Sequence, residues 1–114
     1  MNAAETTGSV SDGILTLGDV LLRAKSFRWN EALFIDGKPP FDSDSPAAIL
    51  DPDDSEDPDT DPDFAIQNGL RYALSVQDVQ DIVENAALQK RQLNLDDLVR
   101  AFNYYFEHDA FITF

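Results

Sequence analysis

Residues 70–90 read LRYALSVQDVQDIVENAALQK, and the hydrophobic period changes inside that stretch. Leu70, Tyr72 and Leu74 alternate with Arg71 and Ala73, the period of a half-buried strand. From Val76 the apolar positions change to helical spacing: Val76, Val79, Ile82, Val83, Ala86 and Ala87. Ser75 and Asp78 stand three apart at the junction, capping-box spacing. A strand therefore runs directly into a helix that reaches about Lys90. Asp78 in its first turn and Lys90 and Arg91 at its end suit the helix dipole.

Downstream, Asn94 caps a second helix with Asp96 and Asp97 in its first turn. Leu95, Leu98, Val99, Phe102, Tyr105 and Phe106 share one face of it, and Leu98, Phe102 and Ile82 are expected to be buried. The closing Ala110–Phe114 (AFITF) is β-prone and predicts a terminal strand. Upstream, Ala32–Ile35 (ALFI) is a short apolar run stopped by Asp36-Gly37, as in a strand buried on both faces. Ala47–Leu50 (AAIL) is a further strand candidate. Thr16 and Asp19 have capping-box spacing ahead of Leu17, Val20, Leu21 and Ala24, which predicts a helix ending near Ser26. Residues 1–12 lack periodicity and read as a disordered lead-in. The expected fold is α+β: a small antiparallel or mixed sheet with about three helices packed on one face, in one domain over residues 13–114.

Between the strand candidates lies Asp51–Asp63, DPDDSEDPDTDPD, with three Asp-Pro steps. Proline removes backbone donors and like charges repel along the chain, so this is a solvated loop. It concentrates a wider bias. The 114 residues carry 22 acids and 8 bases, a net charge of −14, and half of the acids fall between Asp36 and Asp63. Such a chain is repelled by nucleic-acid phosphates and anionic membranes and attracts basic proteins. No direct nucleic-acid or membrane partner is expected. There is no basic, apolar leader and no run long enough to span a bilayer, which points to the cytoplasm.

The chemistry-bearing residues are few. With no cysteine, thiolate chemistry, disulfides and cysteine-type zinc sites are excluded. His108 is the one histidine, at a helix end where the dipole favours its charge. No Gly-x-Ser-x-Gly elbow and no glycine-rich phosphate loop accompanies it. Asp57, Asp59 and Asp61 match the opening of a calcium loop, but Pro62 stands where glycine must turn and Asn68 where glutamate must close it. No more than millimolar divalent binding follows. The reading is of a protein that is not an enzyme and holds no cofactor or metal. Its candidate partner-binding residues are Asp51, Asp53, Asp54, Glu56, Asp57, Asp59, Asp61 and Asp63. To these is added Tyr104, which falls opposite the apolar stripe of its helix beside Asp97 and Arg100.

Leu17–Phe34 and Gly69–Phe114 resemble a family of small uncharacterised bacterial domains, on WNEALF (29–34), DVQDIVEN (78–85) and DAFI (109–112). In size, acidity and lack of cysteine the chain is also similar to immunity proteins of contact-dependent inhibition and polymorphic toxin systems. That resemblance implies a protein that neutralises a basic partner, such as a toxin or nuclease domain. It transfers no site residue. The alternatives are a nucleic-acid mimic that blocks a DNA- or RNA-binding protein, and a weak calcium-binding module.

Overall fold

Ser75 is the hinge the sequence marks. Its hydroxyl accepts a hydrogen bond from the Asp78 backbone N–H at 3.0 Å, and strand becomes helix there without an intervening loop. A computed structural model describes residues 13–53 and 60–114. The lead-in over residues 1–12 and the loop acids Asp54, Glu56, Asp57 and Asp59 lie outside them. Four strands, β1 (Leu15–Thr16), β2 (Ala32–Ile35), β3 (Pro46–Leu50) and β4 (Arg71–Ser75), form one antiparallel sheet in the order β1-β3-β2-β4. Four α-helices accompany it: α1 (Leu17–Leu22), α2 (Asp63–Gln67), α3 (Val76–Gln89) and α4 (Leu95–His108), with a 3₁₀ turn over Ala24–Ser26. The fold is α+β. Among the described residues no helix is long and apolar enough to cross a membrane.

The capping reading holds at the other two predicted helix starts. Thr16 and Asp19 exchange hydrogen bonds of 3.0 and 3.3 Å, and Asn94 and Asp97 do the same at 2.8 and 3.2 Å. Each pair satisfies two of the backbone donors that a helix start leaves open. β2 is an inner strand with every residue buried, as its unbroken apolar run requires. Leu33 and Ile35 face one side, and Ala32 and Phe34 the other.

The first side holds the larger core. Leu17, Val20 and Leu21 of α1, Val79, Ile82 and Ala86 of α3, and Leu98, Ala101 and Phe102 of α4 pack on Leu33, Ile35 and Ala47. Three helices thus share this face, and Ile82, Leu98 and Phe102 are in the core as expected. Phe41 closes it, edge-on to Phe102 and Phe106 at centroid separations of 6.0 and 5.3 Å. The amide of Asn103 on α4 receives the Phe41 N–H and donates to the Phe41 carbonyl, both at 2.8 Å.

The second side holds a smaller cluster of Ala32, Phe34, Ala48, Ala65 and Leu70. Ala65 belongs to α2, which the sequence reading had not anticipated. The loop to Asp63 ends one step early: Pro62 is the N-cap and Asp63 the first helical residue. A five-residue helix shows too little periodicity to be read, and β3 and β4 run in the same direction on either side of β2. The described part of their connection includes α2, which covers the second side through Ala65.

Four further expectations are corrected. Ala110–Phe114 is not a strand. It lies against the helices, where the Gln89 side chain donates to the Ile112 carbonyl at 2.8 Å and accepts from the Phe114 N–H at 3.0 Å. One amide thus supplies the pairing that a strand neighbour would have given. The place of a fourth strand goes to β1, whose Leu15 and Thr16 pair with Ala47 and Pro46. In β4 a bulge between the Leu33–Leu74 and Phe34–Tyr72 pairs shifts the register, so Leu74 turns to the first side while Leu70 stays with the second. An extra residue breaks the alternation that a regular strand would keep. Finally, α3 ends at Gln89 with Lys90 as its C-cap, as expected, but Ala87 of its stripe is exposed. The Lys90 side chain pairs with Asp97.

Candidate protein-binding surface

Strand register decides where the acids emerge. Leu50, the last residue of β3, lies opposite Ala32, and Ala32 lies opposite Ser75. Asp51 therefore leaves the sheet beside Glu31, and α3 begins there too, its Val76 N–H donating to the Glu31 carbonyl at 2.9 Å. Asp51 accepts the Asp53 N–H at 2.9 Å, which turns the chain immediately after the strand. At the same end, the Glu31 N–H donates to the Arg28 carbonyl at 3.0 Å. This closes a turn that presents Trp29 with 66% of its surface exposed.

That turn is anchored to α3. The Gln80 amide donates to the carbonyls of Ala24 and Phe27, each at 3.0 Å. Neighbouring Asp81 and Glu84 border a depression with Lys25 and Gln80 on one side, and one with Asn85, Leu88 and Phe111 on the other. The exposed residues of α3 include Gln77, Asp81, Glu84 and Leu88, spaced four, three and four apart along one outward stripe. Loop root and Trp29 turn share this end of the sheet, where α3 also begins; Arg28 belongs to the same turn, and Lys25 shares a depression with Asp81 and Glu84. None of Glu31, Asp51, Asp53, Asp81 and Glu84 forms an ion pair with a described residue.

The predicted site residues divide accordingly. Asp51 and Asp53 stand at this end of the sheet. Asp61 and Asp63 lead into α2 on the second face. Asp54, Glu56, Asp57 and Asp59, two of which opened the calcium-loop pattern, are outside the described residues. Tyr104 belongs elsewhere. It follows Asn103, which is tied to Phe41 beyond the opposite end of β2, and its ring lies 4.3 Å from that of His108, tilted by 38°. His108, the last residue of α4, has its Nε2 3.5 Å from a Glu107 carboxylate oxygen.

Asp97 is corrected from a solvent-facing neighbour of Tyr104 to a buried acid. It receives Lys90 Nζ at 2.9 Å and the Asn94 N–H at 3.2 Å, with Arg100 at 4.0 Å. The Lys90 hydrogen bond first, and the Asn94 N–H second, hold its carboxyl below the usual carboxylate range. Its role is to join the α3–α4 connection to the start of α4.

Sequence reasoning missed Trp29 and the outward stripe of α3. Tryptophan is on average a highly buried residue, so Trp29 gave no composition signal of exposure. Its setting between Arg28 and Asn30-Glu31, ahead of a strand with both faces already filled, was the available signal. Asp81 and Glu84 are ordinary charges on the polar side of a helix, and only the fold shows that this helix starts beside the loop root.

The family model of a domain of unknown function (DUF7716) matches residues 14–114. No curated protein and no solved structure matches the chain. The match spans every strand and helix described above, and the chain belongs to the DUF7716 family.

Proposed function

We propose that this protein binds a basic surface on another protein and blocks it, as an immunity protein masks the phosphate-binding cleft of a toxin. The observation that carries the reading is the exposed Trp29, in a turn at the end of the sheet where Glu31, Asp51 and Asp53 form no ion pair with a described residue. Unpaired acids repel one another, so their clustering costs stability and gains nothing in the free protein. A cationic partner turns that repulsion into attraction. It also speeds encounter, since a charged patch steers an oppositely charged partner over a Debye length. Tryptophan supplies the desolvated anchor that charge alone lacks; it is among the residues that dominate binding energy at interfaces. The partner class is a protein with a nucleic-acid-binding or other phosphate-binding cleft, in the cytoplasm.

The test compares proteins retained by the wild type with those retained by a Trp29→Ala, Asp81→Asn, Glu84→Gln variant and by Tyr104→Ala. The expected result is a basic protein held by the wild type and by Tyr104→Ala, lost from the triple variant, and inhibited in its own activity by the wild type. Retention of the same protein by the triple variant would overturn the assignment of this surface. A retained protein whose activity is unaffected would overturn the inhibitory role.

A further inference from the structure

At the other end of the sheet the chemistry is reversed. Past β2, Gly37 takes a left-handed φ of +97°, and the turn it opens carries Lys38 and Pro39. Arg71, the first residue of β4, pairs with Ile35, which brings it to the same end. Between them lies a depression of about 260 Å³ lined by Gly37, Lys38, Pro39, Arg71 and Tyr72, with Phe41 and Phe106 among its apolar walls. A second, of about 280 Å³, adjoins it through Pro39 and Phe106.

Every polar side chain lining the first depression is a donor: an ammonium, a guanidinium and a phenol. No carboxylate lines it, in a chain where acids outnumber bases 22 to 8. Neither Lys38 nor Arg71 pairs with a described acid. Both stay exposed, so their charges remain hydrated and available. The pKa of Tyr72 is raised, first by burial and then by the charge of Asp78, which keeps its hydroxyl protonated. A planar guanidinium favours a planar two-oxygen anion or a phosphate. The aromatic and proline walls favour a flat apolar body.

We infer that the cleft between the Gly37–Pro39 turn and Arg71–Tyr72 binds a small anion carried on an aromatic body, its carboxylate or phosphate held by Lys38 and Arg71 and its ring against Phe41, Phe106 and Pro39. The site is independent of the acidic surface and lies at the opposite end of the sheet.

Titration of the full chain by amide NMR, with benzoate and phenyl phosphate as probes, tests it. Saturable shifts of the Gly37 and Tyr72 amides are expected with at least one, and the tighter probe tells carboxylate from phosphate. Benzyl alcohol, with a ring and no charge, and acetate, with charge and no ring, are each expected to bind about tenfold more weakly, the scale of one lost charged hydrogen bond or ring contact. Lys38→Gln and Arg71→Gln are each expected to weaken the anion by a similar factor. No saturation with either anion, equal affinity for benzyl alcohol, or unchanged affinity in both variants would overturn the inference. The wild-type probe series decides the matter even if a variant fails to fold.

Discussion

The helix-covered face of the sheet and its acidic end treat charge in opposite ways. On the covered face the one buried acid, Asp97, has Lys90, Arg100 and a backbone N–H around it, and Phe41, Phe102 and Phe106 fill the space beside α4. At the acidic end Glu31, Asp51, Asp53, Asp81 and Glu84 have no ion pair among the described residues, and the largest side chain of the chain, Trp29, is left to solvent. The first region spends its chemistry on folding. On the proposed reading the second contributes little to folding and is composed for a partner outside the chain.

The contrast breaks first, if it breaks, at Phe102. Its side chain is fully buried between the helices and Phe41, so Phe102→Ala leaves a cavity and is expected to cost about 3–5 kcal/mol in urea unfolding. A loss below about 1 kcal/mol would show that this face is not the stabilising one.

The Asp97 network gives a smaller effect with a pH signature. Because the folded state lowers the pKa of Asp97, its contribution is complete above the unfolded value of about 3.9 and is lost as pH falls through the folded value. Asp97→Ala should therefore lower the melting temperature at pH 7, and the gap to the wild type should close in acid. A gap independent of pH would place the loss in packing and not in the ion pair.

At the acidic end the expected stability effects are smallest. Trp29→Ala should change unfolding free energy by no more than about 0.5 kcal/mol, the range of ordinary surface substitutions. A loss comparable with that of Phe102→Ala would mean the exposed indole belongs to the core after all, and would remove the anchor from the proposed interface.

The difference also explains what the sequence made legible. Helices α3 and α4 are long, periodic and capped, so Ser75, Asn94, Ile82, Leu98 and Phe102 could be placed from spacing alone. β2 was readable because four consecutive apolar residues bounded by Asp36-Gly37 leave few other options. What stayed hidden depends on contacts between distant residues. The Gln89 amide bonding to Ile112 and Phe114 converts a β-prone tail into a strap across the helices. The bulge in β4 and the burial of Asp97 need Leu33, Lys90 and Asn94 in place before they can be seen. The acidic loop was conspicuous in composition, yet only the pairing of Leu50 with Ala32 and Ala32 with Ser75 sets its root, Asp51, beside Glu31 and the start of α3.

The central claim is that the acidic end steers and seats a basic partner without helping the fold. It is tested by stopped-flow association of that partner with the wild type and with a Glu31→Gln, Asp51→Asn, Asp53→Asn, Asp81→Asn variant, at low and high salt. Asn at position 51 keeps an acceptor for the Asp53 N–H, so the two proteins should unfold at nearly the same denaturant concentration. The account predicts association on the order of tenfold slower for the variant at low salt. The difference should shrink as ionic strength passes about 0.15 M, where screening acts within roughly 8 Å. Equal association rates at low salt would contradict it.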